Sequence, residues 1–135
     1  MSHPPLHYET LVSVGSRIRQ RDLTSRDVTQ AQLDRIARLE PSLNSYAHVC
    51  NDRALEQATR ADQEIAKGIY RGPLQGVPIA VKDLCYTSFA PTEGGMTIKR
   101  GFVPDFNATV VDRLEMAGAV TLGKLAMTEG AYTGH

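Results

Sequence analysis

The residues best able to do chemistry sit in one short span. "GVPIAVKD", Gly76 to Asp83, carries an apolar run straight into Lys82, with Asp83 directly after it. A lysine ammonium has an ordinary pKa of about 10.4, so holding it neutral near pH 7 costs roughly 4–5 kcal/mol at about 1.36 kcal/mol per pH unit. Burial beside Ile79 and Val81 would penalise the charged form and offset much of that cost. A lysine tuned in this way takes a proton from a hydroxyl and later returns it to a leaving amine. The plainer alternative is a strand-end lysine whose stem lies on apolar surface while its head reaches solvent or pairs with Asp83. Adjacent strand residues point to opposite faces, which makes Asp83 a poor partner for Lys82. The local residues leave both readings open.

Other candidates carry less. Cys85 follows Lys82 by three residues, and a neighbouring cation lowers a thiol pKa, but no histidine lies close in sequence to serve it. His48 and Cys50 alternate as on a strand without an Asp, Glu or His cluster to join them, so they read as packing; no metal and no cofactor are expected. Gly94-Gly95 is followed by no helix start, unlike a phosphate-binding loop, and reads as turn geometry. Lys124, after Gly123, reads as structural.

The elements that must position Lys82 follow from the apolar pattern. Residues 1–70 read as helical. A first helix is expected over about Tyr8 to Arg19, with Leu11, Val14 and Ile18 at helical spacing. A second opens at Thr24, whose hydroxyl suits an N-cap, and is expected to end at Glu40-Pro41, because proline disfavours an α conformation before it. "NSYAHV" reads as a short strand. A third helix is capped by Asn51, carries Ala54, Ala58, Ala61 and Ile65 on one face, and stops at Gly68. So much alanine implies close approach to a neighbour rather than deep burial.

From Arg71 the character changes. "VPIAV" lacks polar alternation, as a strand covered on both faces would, and Pro78 belongs at its start. Asp83 to Phe106 shows no period and is long enough to count as a functional loop. "NATVVDRLEMAG" then reads as a helix capped by Asn107 with Val110, Val111, Leu114 and Ala117 on one face. "AVTLG" (Ala119 to Gly123) is a second buried strand. Strand, helix, strand makes a parallel βαβ unit. Two such strands leave a sheet open at faces and edges, so the chain reads as the front of something longer, with residues 71–135 beginning an α/β core that does not stand alone.

Composition bounds the partners. The 135 residues suit one ordinary domain, and 15 Lys+Arg balance 15 Asp+Glu. That balance gives no electrostatic reason to expect nucleic acid or an anionic membrane. No apolar run approaches the roughly 20 residues that cross a bilayer. The N-terminus lacks a basic then apolar leader, and two widely spaced cysteines form no ligand motif, so a cytoplasmic protein with reduced thiols is expected.

Three stretches together carry a resemblance. "GPLQGVPIAVKD", "PTEGG" and "GFVPDFNATVVDRLEMAGAVTLGKLAMTE" are similar, in order, to the N-terminal part of the amidase signature family, and "LTSRDVTQAQLDRIARLEPSLNSYAHV" is similar to its first helices. The resemblance implies an α/β/α sandwich with a mixed sheet, of which this chain holds the N-terminal helices and the first βαβ part. It also implies a Ser–cis-Ser–Lys hydrolase that cleaves carboxylic amides through an acyl-serine. Lys82 would be the general base and acid, and Met127 would lie near the acyl pocket. Leu84 stands where many members have asparagine, and Met96 where many have a small residue.

The two catalytic serines have no match here. After Lys82 the only serine is Ser88, which fits neither position, so the chain alone is expected to be inactive. The expected partner is a small-molecule amide, with no direct nucleic-acid or membrane contact and oligomerisation left open. Two further readings stand beside this one. The chain could belong to the amidase subunit of a tRNA-dependent amidotransferase, or be a non-catalytic α/β interaction module.

Overall fold

Four α-helices and a three-stranded sheet form because the apolar residues recur at helical spacing or in short unbroken runs. The structure, a computed structural model, describes residues 4–132. After a 3-10 turn at Leu6–Tyr8 come α1 (Leu11–Gln20), α2 (Ser25–Leu43), β1 (Tyr46–Val49), α3 (Asn51–Ala66), β2 (Pro78–Lys82), α4 (Thr109–Met116) and β3 (Val120–Leu125). The strand order is β1-β3-β2, with β1 antiparallel and β2 parallel to β3. This is the mixed sheet and the parallel βαβ unit that the sequence predicts. β1 comes from the N-terminal segment, so the two halves of the chain share one sheet.

The boundaries differ from expectation in ways that hydrogen bonds explain. α1 starts later than Tyr8 because Thr10 caps it, its Oγ1 accepting from Ser13 N at 3.1 Å. Thr24 caps α2 as predicted, through Asp27 N at 3.0 Å. α2 nevertheless runs through Pro41 to Leu43 and ends at Asn44 in the left-handed region, φ 48°. Proline there removes one N–H from the last turn only. The Glu40 carboxylate also rewards the continuation, accepting from Ser45 Oγ at 2.7 Å and Tyr46 N at 2.9 Å. Asn51 is the first residue of α3 rather than its cap, and Asn107 does not cap α4, whose cap position is Ala108. Asn107 instead accepts from Ser88 N at 2.8 Å and donates to Asp112 at 2.9 Å.

The core has two parts. Leu33 of α2 and Ala54 and Ala58 of α3 pack on Val120 and Leu122 of β3. The two alanines are wholly buried, which corrects the expectation of shallow contact: small side chains bring α3 against the strand and seal the seam at once. The second part joins Val14 and Ile18 of α1 to Val28 and Val77. On α4 only Val111 is buried while Val110 is half exposed, so the buried stripe is narrower than the sequence implies. β2 lies at the sheet edge, with Ile79 and Ala80 half-buried rather than covered on both faces.

The register between β2 and β3 slips once, between Ile79 and Val81. Pro78 and Ile79 lie beside Val120 and Thr121, but Val81 and Lys82 lie beside Lys124 and Leu125. Two steps along β2 therefore match three along β3, and β3 carries one extra residue at Leu122-Gly123. Such a bulge reverses the facing of everything after it. Val120 and Leu122 face the helices, whereas Lys124 joins Thr121 and Val81 on the other side. Gly123 is needed because a Cβ there would lie 2.2 Å from the His48 carbonyl oxygen of β1.

The start of α2 is held by α3. Asp62 accepts from Ser25 N at 2.7 Å and Arg26 N at 3.0 Å, serving two N–H groups that have no partner within α2. Replacing Asp62 with alanine should lower stability by about 0.5–2 kcal/mol, the range for lost helix caps. Urea unfolding of the full-length protein checks this, with an unchanged midpoint counting against it.

Candidate active site

Lys82 is the last residue of β2, and the parallel ladder continues one step beyond it through Asp83 N to Leu125 O at 3.0 Å. The strand's pleat turns Lys82 and Asp83 to opposite faces. Asp83 is buried. Its Oδ1 lies 3.0 Å from Lys124 Nζ, and its Oδ2 accepts from Glu93 N at 3.1 Å and Gly94 N at 3.0 Å. Lys82 is exposed and has no ion-pair or hydrogen-bond partner for its ammonium among the described residues. Pairing with Asp83 is thereby excluded, as the alternation predicts. The enclosure of Lys82 by Ile79 and Val81 is not observed, because β2 is an edge strand and the lysine lies at its tip.

Lys124 is fully buried; its ammonium donates to the Pro91 carbonyl at 3.1 Å and to Thr92 Oγ1 at 2.8 Å, and it lies 3.0 Å from Asp83 Oδ1, an ion-pair contact whose geometry is not that of a hydrogen bond. The reading of Lys124 as structural agrees with this geometry. Its contact with Asp83 is the feature that the sequence reasoning missed. The signal was present as a lysine inside "VTLGKL", a run otherwise free of charge, since a cation so placed demands a buried anion. What hid the pairing was parity: without the bulge, Lys124 would share the helix-packed face of Val120 and Leu122.

The segment after Lys82 is folded down onto this pair without forming a long element. Cys85 N reaches back to Lys82 O at 2.9 Å, Thr92 N bonds Phe102 O at 2.8 Å, and Ala108 N bonds Tyr86 O at 2.9 Å. Tyr86 packs edge-on to Phe102, and Arg53 of α3 covers the Phe89 ring at 3.7 Å. Gly94 and Gly95 have φ of 60° and 69°. A Cβ on Gly95 would meet the Met127 carbonyl oxygen at 2.8 Å, so this pair is turn geometry at a close approach, as read from the sequence. Met127 is half-buried two residues beyond β3, and it lines a shallow concavity with Asp83, Met96, Arg100 and Ala126. The pairing of Lys82 with Leu125 places both candidate residues at the C-terminal ends of the parallel strands, where open α/β sheets bind ligands.

The remaining candidates do not gather here. Ser88 is exposed and donates to Asn107 at 3.1 Å. His48 Nε2 lies 3.4 Å from Glu93 Oε2, and burial pushes the Cys50 thiol up from its ordinary value. No helix among the described residues is long and apolar enough to cross a membrane.

A lysine at the tip of a parallel strand, an Asp turned away from it and a glycine turn closed over the next strand end form a specific frame. The model of the family described as Amidase matches residues 27–135. The chain belongs to the amidase signature family. It is 58% identical over 125 residues to a Mycobacterium tuberculosis protein designated AmiD and assigned as an amidase, covering 93% of this chain and 26% of that protein. It is 41% identical over 126 residues to one component of the glutamyl-tRNA(Gln) amidotransferase of Chloroflexus aurantiacus, with the same coverage of 93% and 26%. Among solved structures, the peptide amidase of Stenotrophomonas maltophilia superposes with a TM-score of 0.87 at 37% identity, over 93% of this chain and 26% of that one. The chain thus spans about a quarter of the length of these relatives, 26% in each case.

Glu93 offers a check on how the loop is held. Its Oε1 accepts from Gly101 N at 2.7 Å, and this N–H, with His48 beside it, holds the carboxyl below its ordinary 4.5. A depressed folded-state value means that the contact stabilises the loop above 4.5 and is lost as pH falls through the folded value below it. NMR titration should show Glu93 and the Gly101 amide moving together below pH 4.5, and Glu93→Gln should abolish the amide's response. Titration of Glu93 at or above 4.5 would contradict the geometry.

Proposed function

We propose that the protein containing this chain hydrolyses the C–N bond of carboxylic amides through an acyl-serine, with Lys82 as general base and acid. The observation that carries this reading is the commitment of Asp83 to Lys124, which leaves the Lys82 side chain without a counter-ion among the described residues, at a strand end where ligands bind. A lysine neutralised by an adjacent carboxylate would be held in its charged form. An unpaired one is free to lose its proton once apolar surface closes over it, and in this proposal the remainder of the longer protein supplies that surface.

Family membership supports the following proposed steps. Neutral Lys82 takes a proton through a bridging serine from a nucleophilic serine, both outside this chain. The serine oxygen bonds to the amide carbonyl carbon, and the C–N bond breaks as the proton passes from Lys82 to the departing nitrogen. Water, deprotonated in turn, releases the acid. Met127 and its concavity would border the acyl group. The two thiols are both free, which fits a reducing compartment such as the cytoplasm.

In the full-length protein Lys82→Ala should lower amide turnover by about 10²–10⁴-fold, the usual contribution of a general base. A fluorophosphonate probe should label a serine of the full-length protein and none in residues 1–135. Label on Ser88, or full turnover by the alanine variant, would sink the reading. The identity to the amidotransferase component supports a second reading, in which ammonia released from an amide passes to a partner. Co-purification of a stoichiometric partner protein, with amide turnover dependent on it, distinguishes that case.

A further inference from the structure

We propose that Lys124 is a positioning residue for Lys82, acting through Asp83; the inference rests on the reading of Lys82 as the base. The two lysines stand on opposite faces of the sheet, one exposed at the tip of β2 and one sealed beneath the following loop. What links them is one peptide. Asp83 is joined covalently to Lys82, its N–H is tied to Leu125 O at 3.0 Å, and its carboxylate is fixed by Lys124 and by the N–H groups of Glu93 and Gly94. The backbone that aims Lys82 is therefore clamped from the adjacent strand.

The pair is built for direction rather than net stability. A buried ion pair repays its desolvation only when every donor and acceptor is satisfied, and apolar replacements of similar volume often match it in stability. Here the ammonium donates to Pro91 and Thr92 in the loop and lies 3.0 Å from the Asp83 carboxylate after β2, whose Oδ1 has no hydrogen-bond donor of its own. An apolar side chain could fill the volume but could not hold the carboxylate at a fixed angle. The bulge at Leu122-Gly123 is what delivers Lys124 to this face at all, so a local irregularity of β3 is coupled to the aim of a residue on β2.

The test uses the full-length protein, an amide chosen from a panel of aliphatic amides and anilides, and three variants: Lys124→Met, Asp83→Asn and the double variant. Lys124→Met should lower kcat by about 100-fold, the effect of a misplacement near 1 Å, while KM changes less than about threefold. The double variant removes both charges yet keeps an acceptor for Glu93 N and Gly94 N. Its melting temperature should recover most of the loss caused by either single change, while kcat stays low. A merely structural pair predicts that kcat returns together with the melting temperature, and that result would overturn the proposal, as would a kcat within about threefold of wild type in Lys124→Met. If Lys124→Met does not fold, Asp83→Asn is judged by the same criteria.

Failure of the activity reading is separable. If the wild-type protein turns over no amide in the panel, the rate of Lys82 acetylation by acetic anhydride, measured by mass spectrometry against exposed Lys67 in the same protein, replaces kcat. A change of threefold or more at Lys82 in Lys124→Met, persisting in the double variant, sustains the positioning role. An unchanged ratio refutes it.

Discussion

The contact between the Lys124 ammonium and the Asp83 carboxylate is the constraint around which the second half of this chain is arranged. Two charges removed from water need each other and polar neighbours to offset their lost hydration. That requirement recruits Pro91, Thr92, Glu93 and Gly94 into fixed positions. A segment without periodic structure is ordered as a result, by polar contacts from beneath and by the Tyr86, Phe89 and Phe102 rings beside it. The hydrophobic core lies on the other side of β3, where alanines of α3 meet Val120 and Leu122. The central strand is thus two-sided in kind as well as in direction, oily toward the helices and ionic toward the loop.

This division explains why Lys82 stands unpaired among the described residues. In most settings a carboxylate one residue away would be drawn toward an exposed ammonium, at least through solvent. Here Asp83 is held by one cation and two backbone donors, all short, and screened from water. The Asp83 carboxylate is thereby committed to the face opposite the lysine that precedes it.

Much of this was legible in the residues. Apolar spacing located α1, α2, α3 and α4, the turn residues located the long loop, and the strand–helix–strand order gave the parallel pair. The cap assignments split: Thr24 acts as read, whereas Asn107 and Asn51 do not, because Asn107 is engaged by Ser88 and Asp112 and the α3 helix already includes Asn51. Pro41 misled for a definite reason, since a proline in a last turn forfeits a single bond that the Glu40 side chain compensates at the adjoining Ser45 and Tyr46. The exposure of Lys82 was hidden because an apolar run reads alike at a sheet's edge and its centre. The Asp83 contact was hidden because strict alternation would put Lys124 on the wrong side.

The extra residue at Leu122-Gly123 and the acid at position 83 form an interlocked pair of traits. Losing one residue from the strand would swing a lysine head into the alanine seam, and losing the acid would leave that head under the loop without its carboxylate. Drift at either position alone is thereby penalised, and any lineage that abandons the arrangement has to change both together.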